Sequence, residues 1–206
     1  MAVQALNKNP QTMNRKKILE AIVFFTQKKK LKNPSKTMIY KLLAEIDFRH
    51  FAETGLPITN LKYEAFKKGP VPRSFHNEIT KGKELVFPED FQDSFDVQSF
   101  DFINEKGEKS KGFNIVARRS PDLKIFSPRQ IRIMEEVAEI YKTATAKDAS
   151  KGSHEPGKPW SIAVQKRGEG SIIDLLDDVQ LYKSVTKELA SEKLKEKEAM
   201  IYNYGE

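Results

Sequence analysis

Residues 35–55, SKTMIYKLLAEIDFRHFAETG, decide the fold. Ser35 is a good N-cap, Met38, Ile39, Leu42, Leu43, Ile46 and Phe51 recur at helical spacing, and Gly55 can supply the left-handed residue that ends a helix. Upstream, Met13, Ile18, Leu19, Ile22, Val23 and Phe25 give residues 12–29 the same period with a basic opposite face. Asn33-Pro34-Ser35 separates the two runs, so they predict a helical hairpin.

Downstream the period changes. Residues 61–66 read as a short extended piece, followed by the turn-rich Lys68-Gly69-Pro70-Val71-Pro72 and a short helix carrying Phe75 and Ile79. Phe95 to Ile103 alternates as a strand, Phe113 to Ala117 makes a second run, and the polar Asn104 to Gly112 reads as the hairpin loop between them. Ser127-Pro128-Arg129-Gln130 opens a helix with a capping box and proline at its first position, with a stripe at Ile131, Met134, Val137, Ala138 and Tyr141. A small-residue patch, Thr143 to Ala149, leads into two short helical turns around Trp160, the single tryptophan. Ser171 with Asp174 then caps a charged helix carrying Leu175, Leu176, Val179, Tyr182, Val185 and Leu189 out to about Lys197. The expected fold class is α+β: a mainly helical single domain with a small antiparallel β-sheet and a long charged C-terminal helix. The expected division is a flexible tail over 1–12, a domain over 13–170, and a C-terminal helix and tail over 171–206, packed on or projecting from the domain.

The chain has 206 residues, 38% of them hydrophobic and 32% charged, enough for one interior without disulfides or structural metal. With no cysteine it has no thiol nucleophile, iron–sulfur ligation or Cys-bearing zinc site, which fits a reducing cytosol. The longest apolar run, Ala21 to Phe25, is far short of the roughly 20 residues that span a bilayer, and the first twelve residues lack a secretion signal. A cytoplasmic protein without membrane association is expected. The net charge of +7 is unevenly placed, because residues 1–41 hold ten Lys/Arg against the single acid Glu20. Lys16 and the run Lys28, Lys29, Lys30 suit an acidic protein or phosphates, or else form a solvated helix face. No RNA-reading aromatic motif or zinc finger supports nucleic acid.

Reaction chemistry finds little footing. Asp47 and His50, three apart on one helix, could share a face with His76 as a third metal ligand. Ser74 and His76 are two apart and diverge on a helix. There is no nucleophile elbow or phosphate-cradling loop, and Gly168-Glu169-Gly170 lacks the third glycine of a dinucleotide fingerprint. Asp177-Asp178 and Glu135-Glu136 read as solvated faces. His154, flanked by Ser153 and Glu155, reads as a structural histidine closing a corner with Trp160, which is corner packing or an interface anchor. No catalytic residue, metal site or cofactor is assigned.

Several segments together resemble the SocA-like Panacea domain, an antitoxin-associated family. They are Tyr40-Lys41-Leu42-Leu43 with Ile46-Asp47-Phe48 and His50-Phe51, Thr54-Gly55-Leu56-Pro57-Ile58-Thr59, and Leu61 through Glu64-Ala65-Phe66 to Gly69-Pro70-Val71-Pro72. Phe126-Ser127-Pro128 and Ser153-His154-Glu155 before Pro159-Trp160 continue the series, over about residues 13–185. The family more often has Trp at Phe66 and an aromatic at Lys68. The resemblance implies a non-enzymatic antidote half of a bacterial or phage toxin–antitoxin pair. Members neutralise diverse toxins by direct binding, several of them related to small alarmone synthetases, and one founding member resembles a proteolytic adaptor that hands its toxin to a protease. For Gly55, Gly69, Pro70, Pro72, Ser127, His154 and Trp160 it implies an architectural role. Direct binding of a protein toxin is thus the first expectation. A proteolytic adaptor and a DNA-binding regulator using the basic helix are the alternatives. For such an interface the basic face with Lys16 and Lys28 to Lys30, and the acidic C-terminal helix with Asp174, Asp177, Asp178 and Tyr182, are the candidate surfaces.

Overall fold

The computed structural model describes residues 12–27, 31–82, 84–104 and 106–204, the side chains of 12–14, 201, 202 and 204 aside. Most of the expected N-terminal tail, and Lys28, Lys29 and Lys30 of the basic face, lie outside the described residues. In chain order the elements are α1 (Thr12–Thr26), α2 (Lys36–Thr54), the hairpin of β1 (Glu64–Phe66) and β2 (Gly69–Val71), and α3 (Arg73–Ile79). Then come β3 (Thr80–Lys81), β4 (Glu84–Leu85), α4 (Glu89–Gln92), β5 (Phe95–Ile103) and β6 (Lys109–Ala117). A 3-10 turn (Leu123–Ile125) precedes α5 (Pro128–Tyr141), α6 (Ala146–Ser153), α7 (Pro159–Arg167), α8 (Leu175–Asp178) and α9 (Lys187–Tyr204). The class is α+β as expected, but the β-structure is divided among three two-stranded antiparallel hairpins rather than one sheet.

α2 is the axis of the core. Ser35 Oγ accepts from the Met38 N–H at 3.3 Å, and Gly55 closes the helix at φ 78° with its N–H on Phe51 O at 2.8 Å. A single apolar stripe does not describe it: Lys41, Asp47 and His50 are buried along with its apolar residues, because α1, α5, α6, β2 and β6 pack around it. The same correction applies to α1, where Ile18 and every residue from Glu20 to Thr26 is buried, leaving a basic face only in its first turns. Even Glu20 lies inside, held by Arg119 Nη2 and Nη1 at 2.7 and 2.8 Å and by the Asp122 N–H at 2.8 Å.

α5 begins as its capping box predicts, with Ser127 and Gln130 each accepting from the other's backbone N–H. Two boundaries differ from expectation. β6 starts at Lys109, not Phe113, so nine residue pairs align from Phe95↔Ala117 to Ile103↔Lys109 and the loop shortens. Past the core Phe100 covers Gly112 opposite it, where a Cβ would lie under 3.0 Å from the ring. The C-terminal helix is two helices. Asp174, rather than Ser171, caps α8, accepting from Leu176 and Asp177 N–H at 2.8 and 3.0 Å. The chain then leaves the helical path so that Val179 and Val185 both reach the core, and Tyr182 N–H bonds Ala52 O at 2.9 Å. α9 docks rather than projects as far as Lys197: Ala190 is fully buried against Gly55, and Lys193 and Lys197 donate to Thr54 O and Pro57 O at 2.9 and 3.4 Å. Residues 170–173 bond along the free edge of β1, through Ala65 N to Ser171 O at 2.8 Å and Ile173 N to Tyr63 O at 2.9 Å.

Candidate functional site

Asp47, His50 and His76 do not converge. The Asp47 carboxylate is fully buried, accepting from Thr59 N–H at 2.6 Å, Tyr63 OH at 2.7 Å and the Thr59 hydroxyl. Burial pushes its pKa up, against the hydrogen bonds from Thr59 and Tyr63 and the positive charge of Lys197. His50 Nδ1 meets Leu56 O at 2.6 Å and His76 Nδ1 meets Tyr40 OH at 3.0 Å. Burial lowers the pKa of both imidazoles. Ser74 is exposed while His76 turns to Tyr40, and among the described residues no three His, Asp or Glu side chains are grouped to hold a metal ion.

The charged candidates for an interface are largely engaged within the chain. Lys16 remains exposed, 3.4 Å from Asp122, but its neighbour Arg15 is locked between Glu78 and Asp90, each at 2.5 Å, and Lys17 donates to Gln130 at 3.1 Å. On the acidic side, Asp177 pairs with Lys187, and Asp174 is the exposed cap of α8. Asp178 is not a surface residue: its side chain is 0% exposed, paired with Arg167 and accepting from Asp174 N–H at 2.8 Å. Tyr182 stands 58% exposed.

Two features stand out instead. The first is the ribbon β5–β6, joined to the body at its base by Ile115 N–H to Pro34 O and Arg118 N–H to Ser94 O, both at 2.9 Å. Phe95, Phe113 and Ile115 anchor that base in the core. Beyond it Phe100 and Phe102 share one face, ring centroids 6.1 Å apart and 41% and 44% exposed, and Ile103 at the tip is 63% exposed. Among the described residues Phe100 and Phe102 are the exposed aromatic rings that contact each other.

The second is the corner where α6 and α7 meet the β1–β2 turn. His154 stacks on Trp160 at 3.7 Å, and Trp160 Nε1 donates to Phe66 O at 2.8 Å. The Ser161 hydroxyl ties the carbonyls of His154 and Glu155, so the corner is rigid. Gly69, at φ 104°, has no room for a side chain, because a Cβ there would stand under 3.0 Å from Ser153 Oγ and Lys41 Nζ. Lys41, 3% exposed, donates to Pro70 O at 3.2 Å, and burial pushes its ammonium down to about 7. Burial and Lys41 together lower the His154 imidazole, whose Nε2 is buried without a hydrogen-bond partner. The helical period places Lys41 within an apolar run without marking it. The aromatics at 100 and 102, on the face opposite Phe95, were the available signal for the ribbon.

The chain matches the family model described as antitoxin SocA-like, Panacea domain, over residues 39–161, and it belongs to that family. The match runs from α2 to the first turn of α7. It takes in the corner and the ribbon and leaves Lys16, Asp174, Asp177 and Tyr182 outside. No curated protein and no solved structure matches the chain. No described helix is long and apolar enough to cross a membrane.

Proposed function

We propose that this chain is the antitoxin of a toxin–antitoxin pair acting in the cytoplasm, and that it neutralises a protein toxin by direct contact rather than by chemistry. The observation that carries this reading is the ribbon β5–β6, which holds Phe100, Phe102 and Ile103 out of the body. Aromatic anchors of this kind supply most of the binding energy in protein interfaces, and a standard interface of roughly 1,200–2,000 Å² needs few of them. Family membership names the class of occupant, a toxin, and a small alarmone synthetase-like enzyme is the kind the resemblance implies. Strand addition along the open edge of β5 would add backbone hydrogen bonds to the aromatic contacts. Lys16, Asp174, Asp177 and Tyr182 belong to the periphery in this reading. The titratable groups that could serve a reaction, Asp47, His50 and His76, each have an internal partner.

Co-expression with the product of the neighbouring gene tests the reading. The neighbour is expected to arrest growth alone, to be rescued by this chain, and to co-purify with it. A neighbour that is harmless, or rescue without a complex, would overturn direct neutralisation.

A further inference from the structure

Lys41 lines a cleft with Phe48, Tyr141, Ala149, Pro159 and Trp160, which has an empty volume of about 310 Å³ including its open mouth. An ammonium has three donors, and Lys41 places one on Pro70 O. Among the described residues it forms no ion pair. The other polar groups around it do not supply a counter-ion. Glu45 is taken by Arg49 at 2.8 Å, Ser153 Oγ donates to Ser150 O at 2.8 Å, Tyr141 is a neutral phenol, and Lys158 adds a second cation to the wall. His154, stacked on Trp160, has its Nε2 buried without a hydrogen-bond partner. A buried cation with neither a counter-ion nor a full set of acceptors is costly, and an anion entering the cleft would relieve that cost.

We propose that this cleft is a binding site for a carboxylate, with Lys41 as its ion-pair partner and the rings of Phe48, Tyr141 and Trp160 packing the methylenes behind it. A carboxylate brings one negative charge and oxygens that accept from the remaining donors of the buried ammonium, and Lys158 in the wall adds a second positive charge. The enclosed part of the cleft is only about 20 Å³, so it takes a carboxylate head and not a nucleotide, and the methylenes lie at the open mouth. The carboxylate comes from a free aliphatic acid or from an acidic side chain of a bound protein.

Because burial alone depresses the Lys41 ammonium, a bound anion must raise it, and Trp160, the single tryptophan, reports on the same cleft. The test is an acetate titration of the full chain against chloride at matched ionic strength, following the Lys41 13Cε resonance through pH and the Trp160 emission. The expected result is a saturable change in emission and a rise of the Lys41 pKa by about one unit, a tenfold gain in proton affinity. Lys41→Met abolishes the emission change. The wild-type titration stands by itself if that variant does not fold. Toxin added in chloride distinguishes the sources: a Lys41 shift assigns the site to a partner's acidic side chain, and a shift with acetate alone assigns it to a free acid. Identical behaviour in acetate and chloride, with no shift on adding toxin, would overturn the proposal and leave Lys41 as a structural donor to Pro70. The acetate arm uses the isolated chain, so its outcome is independent of whether the chain is an antitoxin.

Discussion

Replacing Lys41 with methionine should flatten the pH dependence of stability between pH 7 and 10. Burial lowers the Lys41 ammonium from 10.5 to about 7. Between those values the unfolded chain holds a proton that the folded chain does not, so stability rises with pH across the window and is lost as pH falls toward 7. At 1.36 kcal/mol per unit, and with the group still partly protonated when unfolded at pH 10, the rise attributable to Lys41 is about 3–4 kcal/mol. Lys41→Met removes that rise. At pH 7 it also removes the cost of burying the amine, at the expense of a hydrogen bond to Pro70 O worth about 1 kcal/mol. The variant is therefore expected to match or exceed the wild type near neutrality. Urea denaturation of both proteins in chloride buffers at intervals from pH 7 to 10 measures the difference directly, since other titrating groups are common to both. Coincident slopes, or a variant several kcal/mol less stable at pH 7, would refute an uncompensated buried amine at this position.

Gly69→Ala should destabilise by about 2–5 kcal/mol, combining backbone strain with displacement of Lys41 and Ser153. Gly82→Ala, at φ 62° with open space around the added methyl, should cost only about 1–2 kcal/mol, and urea midpoints of the pair separate strain from crowding. Asp47→Ala strands the buried Thr59 N–H and Tyr63 hydroxyl, an expected loss of about 3–5 kcal/mol by denaturant titration, while a loss under 1 kcal/mol would count against the network.

Local chemistry made much of this fold readable. The caps at Ser35, Gly55 and Ser127 and the proline at 128 each act on backbone groups within a few residues, and the structure has all of them. What periodicity does not carry is the number of neighbours an element acquires. α2 reads as a helix with one stripe, yet it is enclosed on nearly every side, and its buried Lys41 is indistinguishable in sequence from a solvated lysine. The break between α8 and α9 is likewise tertiary, set by the burial of Val179 and Val185 and by the fit of Ala190 against Gly55. Of the candidate site, the pairing of His154 with Trp160 was legible as a packed corner. The cleft in front of it was not, since it forms where α2, α5, α6 and α7 meet.

The central claim, a protein toxin held on the β5–β6 ribbon, is tested most directly by calorimetry of the purified co-encoded toxin with the wild type and with the Phe100→Ser/Phe102→Ser double variant. Both side chains are exposed enough that the variant should unfold within a few degrees of the wild type. The account predicts a stoichiometric complex for the wild type and, with two aromatic anchors removed, an affinity lower by about 100-fold or more. Equal affinity for both proteins would contradict the ribbon as the contact surface, and no binding to the wild type would contradict neutralisation by direct contact.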